Sequence, residues 1–165
     1  MNNEEVLAAL QSALPGVAVE VQAAETKDYT LILPAEALVA AMTYLRDRQG
    51  YDFLSDLTAV DRPERFEVVY HLFSMTRDAP KLVVKIHLAD KVAPVAPSVF
   101  CVWDGSNLLE REVFDLMVIR FEGHPDLRRI MMWDGFPGHP LRKDFQNRMM
   151  TYKELEPTRP KPPNW

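Results

Sequence analysis

Apolar residues first recur at helical spacing: Val6, Leu7, Leu10, Ala13 and Leu14 share one face until Pro15-Gly16 stops the run. The period then changes to two. Val17, Val19 and Val21 alternate with Ala18, Glu20 and Gln22, which predicts a strand with one wet face, and Tyr29–Leu33 predicts a second strand after an acidic turn. Pro34 stands where a helix can begin. Leu38, Ala41, Met42 and Leu45 form its apolar stripe, and Arg46, Arg48 and Gly50 close it.

Three strands are predicted next, over Tyr51–Val60, Phe66–Met75 and Leu82–Leu88, joined by Asp61-Arg62-Pro63-Glu64 and Arg77-Asp78-Ala79-Pro80 turns. Such short connections imply an antiparallel meander. Phe66, Val68, Tyr70 and Leu72 fall on one face, as do Leu82, Val84, Ile86 and Leu88; His71 and His87 fall on the opposite, wetter faces. Pro94 and Pro97 end regular strand structure, and Ser98–Trp103 reads as a short helix or buried connector. A third helix is expected from near Leu108, capped by Asp104, Ser106 or Asn107. Leu109, Val113 and Leu116 lie on one of its faces, and Phe114, Met117 and Phe121 on an adjoining one. Two N-terminal helices, about five strands in a mixed, largely antiparallel sheet, then a helix and a loop-rich extension define an α+β fold. Residues 1–150 form one domain in this reading. Residues 151–165 form an extended tail, because Pro157, Pro160, Pro162 and Pro163 exclude helix interior and central strand.

The chain has 165 residues, 47% hydrophobic and 26% charged, with a formal net charge of −5. That charge is unevenly placed: residues 120–165 carry nine basic and six acidic side chains, residues 1–119 ten basic and eighteen acidic. An acidic body argues against nucleic-acid binding, which depends on phosphate neutralisation. The basic quarter either meets an acidic protein partner or lies over the acidic body of its own domain. No apolar run reaches the length of a membrane span, and the acidic start lacks the marks of a secretory signal, so the cytoplasm is the expected compartment. With Cys101 as the single cysteine, the chain cannot build a disulfide framework or a multi-cysteine metal site by itself.

Two groups of residues invite a catalytic reading. Glu110, Glu112 and Asp115 place three carboxylates within about two turns of the third helix. Arg111, four residues before Asp115, explains that charge more simply as an intrahelical ion pair, and Glu110 suits the positive end of the helix. Gly123-His124-Pro125 and Gly138-His139-Pro140 each fix a histidine between a residue free to adopt positive φ and one that forbids helix before it. A metal there would be repelled by Arg128, Arg129, Arg142 and Lys143, so structural turns carrying hydrogen-bonded histidines are expected. The phosphate-loop, nucleophile-elbow, zincin and dinucleotide motifs are absent. The arginines, together with Trp103, Met131, Met132, Trp133, Phe136, Met149, Met150 and Trp165, are instead the residue types that protein interfaces favour.

Glu110-Arg111-Glu112-Val113-Phe114-Asp115-Leu116-Met117, six further residues, then His124-Pro125-Asp126-Leu127-Arg128-Arg129-Ile130-Met131 resembles the signature of the C subunit of respiratory complex I, the NADH:quinone oxidoreductase. Gly138-His139-Pro140-Leu141-Arg142-Lys143-Asp144-Phe145 resembles that family's ending. The sequence departs from the usual wording at Leu108, where tryptophan is common, at Val118, where glycine is common, and across Trp133–Pro137.

The resemblance implies a scaffolding component of the peripheral arm, docked on the D subunit that helps form the quinone site, with the B and I subunits also nearby. In such complexes FMN, iron–sulfur clusters and quinone belong to other chains, so none is expected here. The protein would sit on the cytoplasmic side of the bacterial membrane, reaching it only through the complex. It would share in a proton-translocating oxidoreductase activity that the isolated chain lacks. An equivalent component of a membrane-bound hydrogenase or another quinone-reducing dehydrogenase is the alternative, and a small carboxylate/histidine enzyme is a second. The segments expected to dock are Glu110, Arg111, Glu112 and Asp115; Gly123, His124, Pro125, Leu127, Arg128 and Arg129; and Gly138, His139, Pro140, Leu141, Arg142, Lys143 and Asp144, with Trp165 as a terminal anchor.

Overall fold

In the computed structural model, which describes residues 3–22 and 29–146, the predicted order of elements is present with two additions. Helix α1 spans Asn3–Ala13 and α2 spans Leu38–Asp47 after a short 3-10 turn, Ala35–Ala37. The strands are β1 (Glu20–Gln22), β2 (Tyr29–Leu33), β3 (Phe53–Asp61), β4 (Phe66–Phe73) and β5 (Leu82–Leu88). They form one sheet in the order β1-β2-β5-β4-β3. The expected meander of β3, β4 and β5 is antiparallel throughout, and β1 is antiparallel to β2; in this sheet only β2 and β5 run parallel, connected through α2, β3 and β4. The fold is therefore α+β with a mixed sheet.

Strand β1 is shorter than its valine alternation suggests. The register pairs Glu20 with Ile32, so continuing toward Ala18 would bring the ladder to Pro34, which has no N–H to give.

Pairing converts the period-two pattern into rows across the sheet. Leu31, Val84, Tyr70 and Leu57 form one row, and Leu33, Ile86, Val68 and Ala59 the next. These side chains, with Val6 and Leu10 of α1 and the Leu38, Ala41, Met42 and Leu45 stripe of α2, make one continuous core. The opposite face is more polar, with Val69 and Val83 buried among its polar side chains. Gln22, Thr30, Val83, His71 and Asp56 form one of its rows, and His87 stands opposite Glu67. The two histidines thus share the wetter face as predicted, but it is Glu67 that lies against His87.

The additions follow β5. Val95–Pro97 is a short strand, β6, paired in parallel with Arg120–Glu122, β7. This corrects the expectation that the prolines leave no strand here. Pro97 is accommodated as the last residue of a two-stranded ribbon, where a missing N–H costs no central ladder bond. Between them Ser98–Trp103 is a buried connector, with Val99, Val102 and Trp103 inside the core, and α3 runs from Ser106 to Met117. Its N-cap is Gly105, with no side-chain cap bond, so none of the predicted capping residues serves. The helix packs on β3 and ends at Val118, a non-glycine residue in the left-handed region at φ 69°, ψ 5°. The tail at 151–165 with Trp165, together with Met149, Met150 and the acidic turn before Tyr29, lies outside the described residues.

Candidate partner-docking surface

From the end of α3 to Phe145 there is almost no regular structure, so that segment's shape must come from side chains holding backbone. Two buried acids of α3 provide most of the hold. Asp115, 0% exposed, directs Oδ2 at three successive N–H groups, those of Ile130, Met131 and Met132, at 3.0, 2.7 and 2.8 Å. Its Oδ1 faces Arg129 Nη1 at 3.6 Å. Glu110, also 0% exposed, accepts the Ser98 hydroxyl at 2.6 Å and the Val99 N–H at 2.8 Å, fixing the connector before the helix. Burial raises the Glu110 pKa above the usual glutamate value, only partly offset by those bonds to Ser98 and Val99.

Both readings of the helix charges made from spacing are therefore overturned. Arg111 does not pair with Asp115; it donates to the Arg128 and Arg129 carbonyls at 3.1 and 3.4 Å. Three backbone N–H groups satisfy a buried carboxylate better than one half-buried guanidinium can. Glu110, in the second turn of α3, serves the Ser98–Val99 loop rather than the helix terminus. Glu112 is exposed.

The GHP turns behave as expected. Gly123 and Gly138 take φ values of +88° and +105°. His124 Nδ1 accepts the Asp126 N–H at 3.0 Å, so Nε2 carries the proton and donates to the Asn107 carbonyl at 3.1 Å. His139 Nδ1 donates to the Asp115 carbonyl at 2.7 Å, and burial, then the nearby Arg129 and Arg142 charges, hold its pKa below the usual histidine value. Arg129 also donates to the Gly138 carbonyl at 3.0 Å, closing the second turn onto the first. Glu110, Asp115, His124 and His139 are thus each committed to a different backbone segment. The structure does not converge them on one reacting centre.

A third buried acid, named from the sequence only as part of a turn, also holds this segment. Asp61, at the end of β3, accepts Lys91 Nζ at 2.5 Å and the Lys143 N–H at 2.8 Å. Burial alone would raise its pKa; the bonds from Lys91 and Lys143 outweigh that and bring it below the usual aspartate value. Arg142 donates to the Lys91 carbonyl at 3.1 Å, pairs with Asp144 at 2.6 Å and lies 5.4 Å from the Phe66 ring centroid. One signal could have found it: Asp61 follows Leu57 and Ala59 in the core-facing phase of its strand, where an acid requires a partner. The basic quarter divides accordingly. Arg129, Arg142 and the Lys143 backbone lie over the domain's own acids, whereas Arg120 and Arg128 face solvent, Arg128 meeting Asp126 in a surface pair.

The aromatic and methionine side chains divide in the same way. Trp103 is core. Trp133 meets Phe136 edge-on at 4.8 Å, and Phe136 stacks on Phe145 at 5.9 Å. Left outward are Leu108, Ile130, Met131 and Leu141, 57%, 39%, 57% and 60% exposed. Hydrogen bonds place this apolar set along α3, since Ile130 and Met131 are held by Asp115 and the Leu141 N–H bonds the Leu116 carbonyl at 3.1 Å. Pro140 and Leu127 are half-buried, and Pro125 is exposed. Among the described residues no helix is long and apolar enough to cross a membrane.

Comparison with known proteins agrees with this segment's signature. The C subunit of the NADH-quinone oxidoreductase of Moorella thermoacetica is 52% identical over 118 residues, covering 70% of this chain and 78% of that protein. A solved structure described as the trypsin-resistant fragment (1-134) of Nqo5 is 34% identical, with a TM-score of 0.63, and covers 77% of this chain and all of that one. A chain of the membrane-bound sulfane sulfur reductase, an archaeal respiratory membrane complex, shares the fold at a TM-score of 0.73 and 22% identity, over 93% of this chain and 89% of that one. Residues 31–150 match the family described as respiratory-chain NADH dehydrogenase, 30 Kd subunit, and the chain belongs to that family.

Proposed function

We propose that this chain is a non-catalytic scaffolding component in the peripheral arm of a proton-translocating NADH:quinone oxidoreductase, docking on the D subunit that forms the quinone site. The observation that carries the reading is the division of labour within the 108–145 segment. Buried Glu110, Asp115 and Asp61 hold an irregular backbone rigid, and its outer surface presents Leu108, Ile130, Met131 and Leu141 with the exposed cation Arg128. A surface already ordered before contact loses little conformational entropy on binding, which is what a permanent assembly joint requires.

In this reading FMN, the iron–sulfur clusters and quinone are carried by other chains, the B and I subunits are further neighbours, and the chain stays on the cytoplasmic face of the membrane without entering it. Isolated, it transfers no electrons. Affinity purification of the tagged chain from native membranes tests this. Recovery with a homologue of the D subunit, and loss of that partner in a Met131→Glu/Leu141→Glu variant whose isolated chain unfolds at the wild-type temperature, is the expected result. Recovery with hydrogenase components would place the chain in a related complex instead, and recovery of the folded chain alone would overturn the scaffolding role.

A further inference from the structure

A cleft of about 380 Å³ opens on the polar face of the sheet, between the β3–β4 hairpin and Gln22 of β1. Its floor is Glu67, whose side chain is 5% exposed. Arg65 donates Nε and Nη2 to Glu67 Oε1 at 3.2 and 2.8 Å, and Arg62 Nη2 reaches Oε2 at 3.4 Å. Lys85 Nζ stands 3.9 Å from Oε2, held by Gln22 Oε1 at 2.9 Å. His87 Nε2 is 3.9 Å from Oε1. Burial would raise the Glu67 pKa, but the Arg65 bonds and the Arg62 and Lys85 charges carry it below the usual value, so the floor is a carboxylate. Burial, then Arg65, lowers the His87 pKa. Three basic side chains, Arg62, Arg65 and Lys85, therefore surround one buried anion. Glu64, which also lines the cleft, and Glu20, near His87, are exposed acids, screened by water and salt as the exposed parts of Arg62 and Arg65 are.

A guanidinium has five N–H donors in a rigid fork. Glu67 uses two from Arg65 and one from Arg62, while the two side chains, both lining the cleft, remain 41% and 50% exposed. Both forks are thus oriented by a common buried carboxylate and retain donors that it does not use. Their rotamer entropy is already lost, which favours capture of a planar oxyanion.

We propose that this cleft is a second docking point, where Arg62 and Arg65 grip an acidic side chain of a neighbouring protein in the complex, on the sheet face away from α3. The inference rests on the reading that the chain works inside a multisubunit complex. The two oriented guanidinium forks, rather than the net charge of a lining that also holds Glu64 and Glu67, argue for an acidic partner, and the opening of the cleft to solvent suits a side chain presented from a protein surface.

The test is a photo-reactive amino acid at Glu64, in the cleft lining, in a tagged chain assembled into the complex in its native host. Irradiation is expected to join it to one neighbouring protein at a segment carrying Asp or Glu. Arg65→Lys, which keeps the charge that Glu67 needs but loses the fork, should lower the crosslink yield several-fold in complexes of unchanged composition. Intact complex with no crosslink, or with a yield that Arg65→Lys leaves unchanged, overturns the docking point while leaving complex membership standing; a folded chain that recovers no partner overturns the membership reading itself. Titration of the isolated chain with inorganic phosphate completes it. Saturable shifts of the Arg62 and Arg65 side-chain resonances, with no crosslink in the complex, would assign the cleft to a free oxyanion instead.

Discussion

Asp115 Oδ2 accepts the backbone N–H of Met131 at 2.7 Å, and that one oxygen also takes the N–H groups on either side of it. A charged acceptor shared by three consecutive amides acts on the 130–132 backbone as a helix N-cap acts on a first turn, so the segment's conformation is written into α3. Asp115→Asn keeps the shape but removes the charge. It is expected to destabilise the isolated chain by about 1.5–3 kcal/mol, the range for hydrogen bonds to ionised groups. Urea denaturation gives that figure. Amide exchange should show the Ile130, Met131 and Met132 N–H groups losing protection before the central strands do.

The buried acids respond to pH in opposite directions. The Asp61 pKa is lower folded than unfolded, so its contribution is present above the ordinary aspartate value of about 3.9 and is lost as pH falls through the folded value. The Glu110 pKa is raised, so its contribution is greatest below the ordinary glutamate value of about 4.3 and is lost as pH rises through the folded value. Denaturation midpoints measured across this range should therefore show Asp61→Asn losing ground against wild type as pH rises from about 3 to 5. Glu110→Gln should gain ground as pH rises above about 4. Parallel curves for both variants would show that neither acid is coupled to folding as described.

Periodicity made the three helices, the five-stranded sheet and the core-facing residues legible, because spacing alone decides which side chains share a face. What it could not reach was anything set by register or by a distant backbone. The Arg111 and Asp115 spacing allows a pair; the three N–H groups that displace it come from residues fifteen and more positions away. Glu67 reads as one polar residue in an alternating strand until pairing brings His87 and Lys85 beside it. The β6–β7 ribbon is too short and proline-rich to leave a pattern.

The two GHP glycines should differ in tolerance. Both have positive φ, which costs an L-residue about 1–2 kcal/mol. A Cβ at Gly123 would approach nothing nearer than Ser98 Cβ at 4.0 Å, but one at Gly138 would lie 2.9 Å from Cε2 of Phe145, whose ring stacks on Phe136. Gly123→Ala is expected to show the backbone cost alone. Gly138→Ala should exceed it by about 1 kcal/mol or more, because the aromatic stack must shift. Thermal denaturation of the two variants side by side gives the comparison.

Val118 suggests a stabilising change. It holds the left-handed C-cap position of α3, where its N–H bonds the Phe114 carbonyl at 3.0 Å, and it is β-branched, the type least suited to positive φ. Val118→Gly removes strain of about 1–2 kcal/mol and gives back part of it through the freer unfolded chain. A net gain of about 0.5–1 kcal/mol, or roughly 1–4 °C in Tm, is expected by calorimetry. A loss would mean that the half-buried valine side chain contributes more than its backbone costs.

Arg142 and Arg128 separate folding from docking. The Arg142 side chain is 16% exposed, bridges Lys91 and Asp144 and covers Phe66, so Arg142→Ala should lower the isolated chain's stability by about 1–2 kcal/mol. The Arg128 side chain is 71% exposed and meets Asp126 in a surface pair that contributes little. Arg128→Ala should change isolated stability by less than about 0.5 kcal/mol yet reduce recovery of partner proteins, as expected where arginine is an interface anchor. Equal losses of stability would make both arginines struts within the domain. An Arg128→Ala chain that recovers its partners in full would place the docking contact on the Leu108, Ile130, Met131 and Leu141 surface alone.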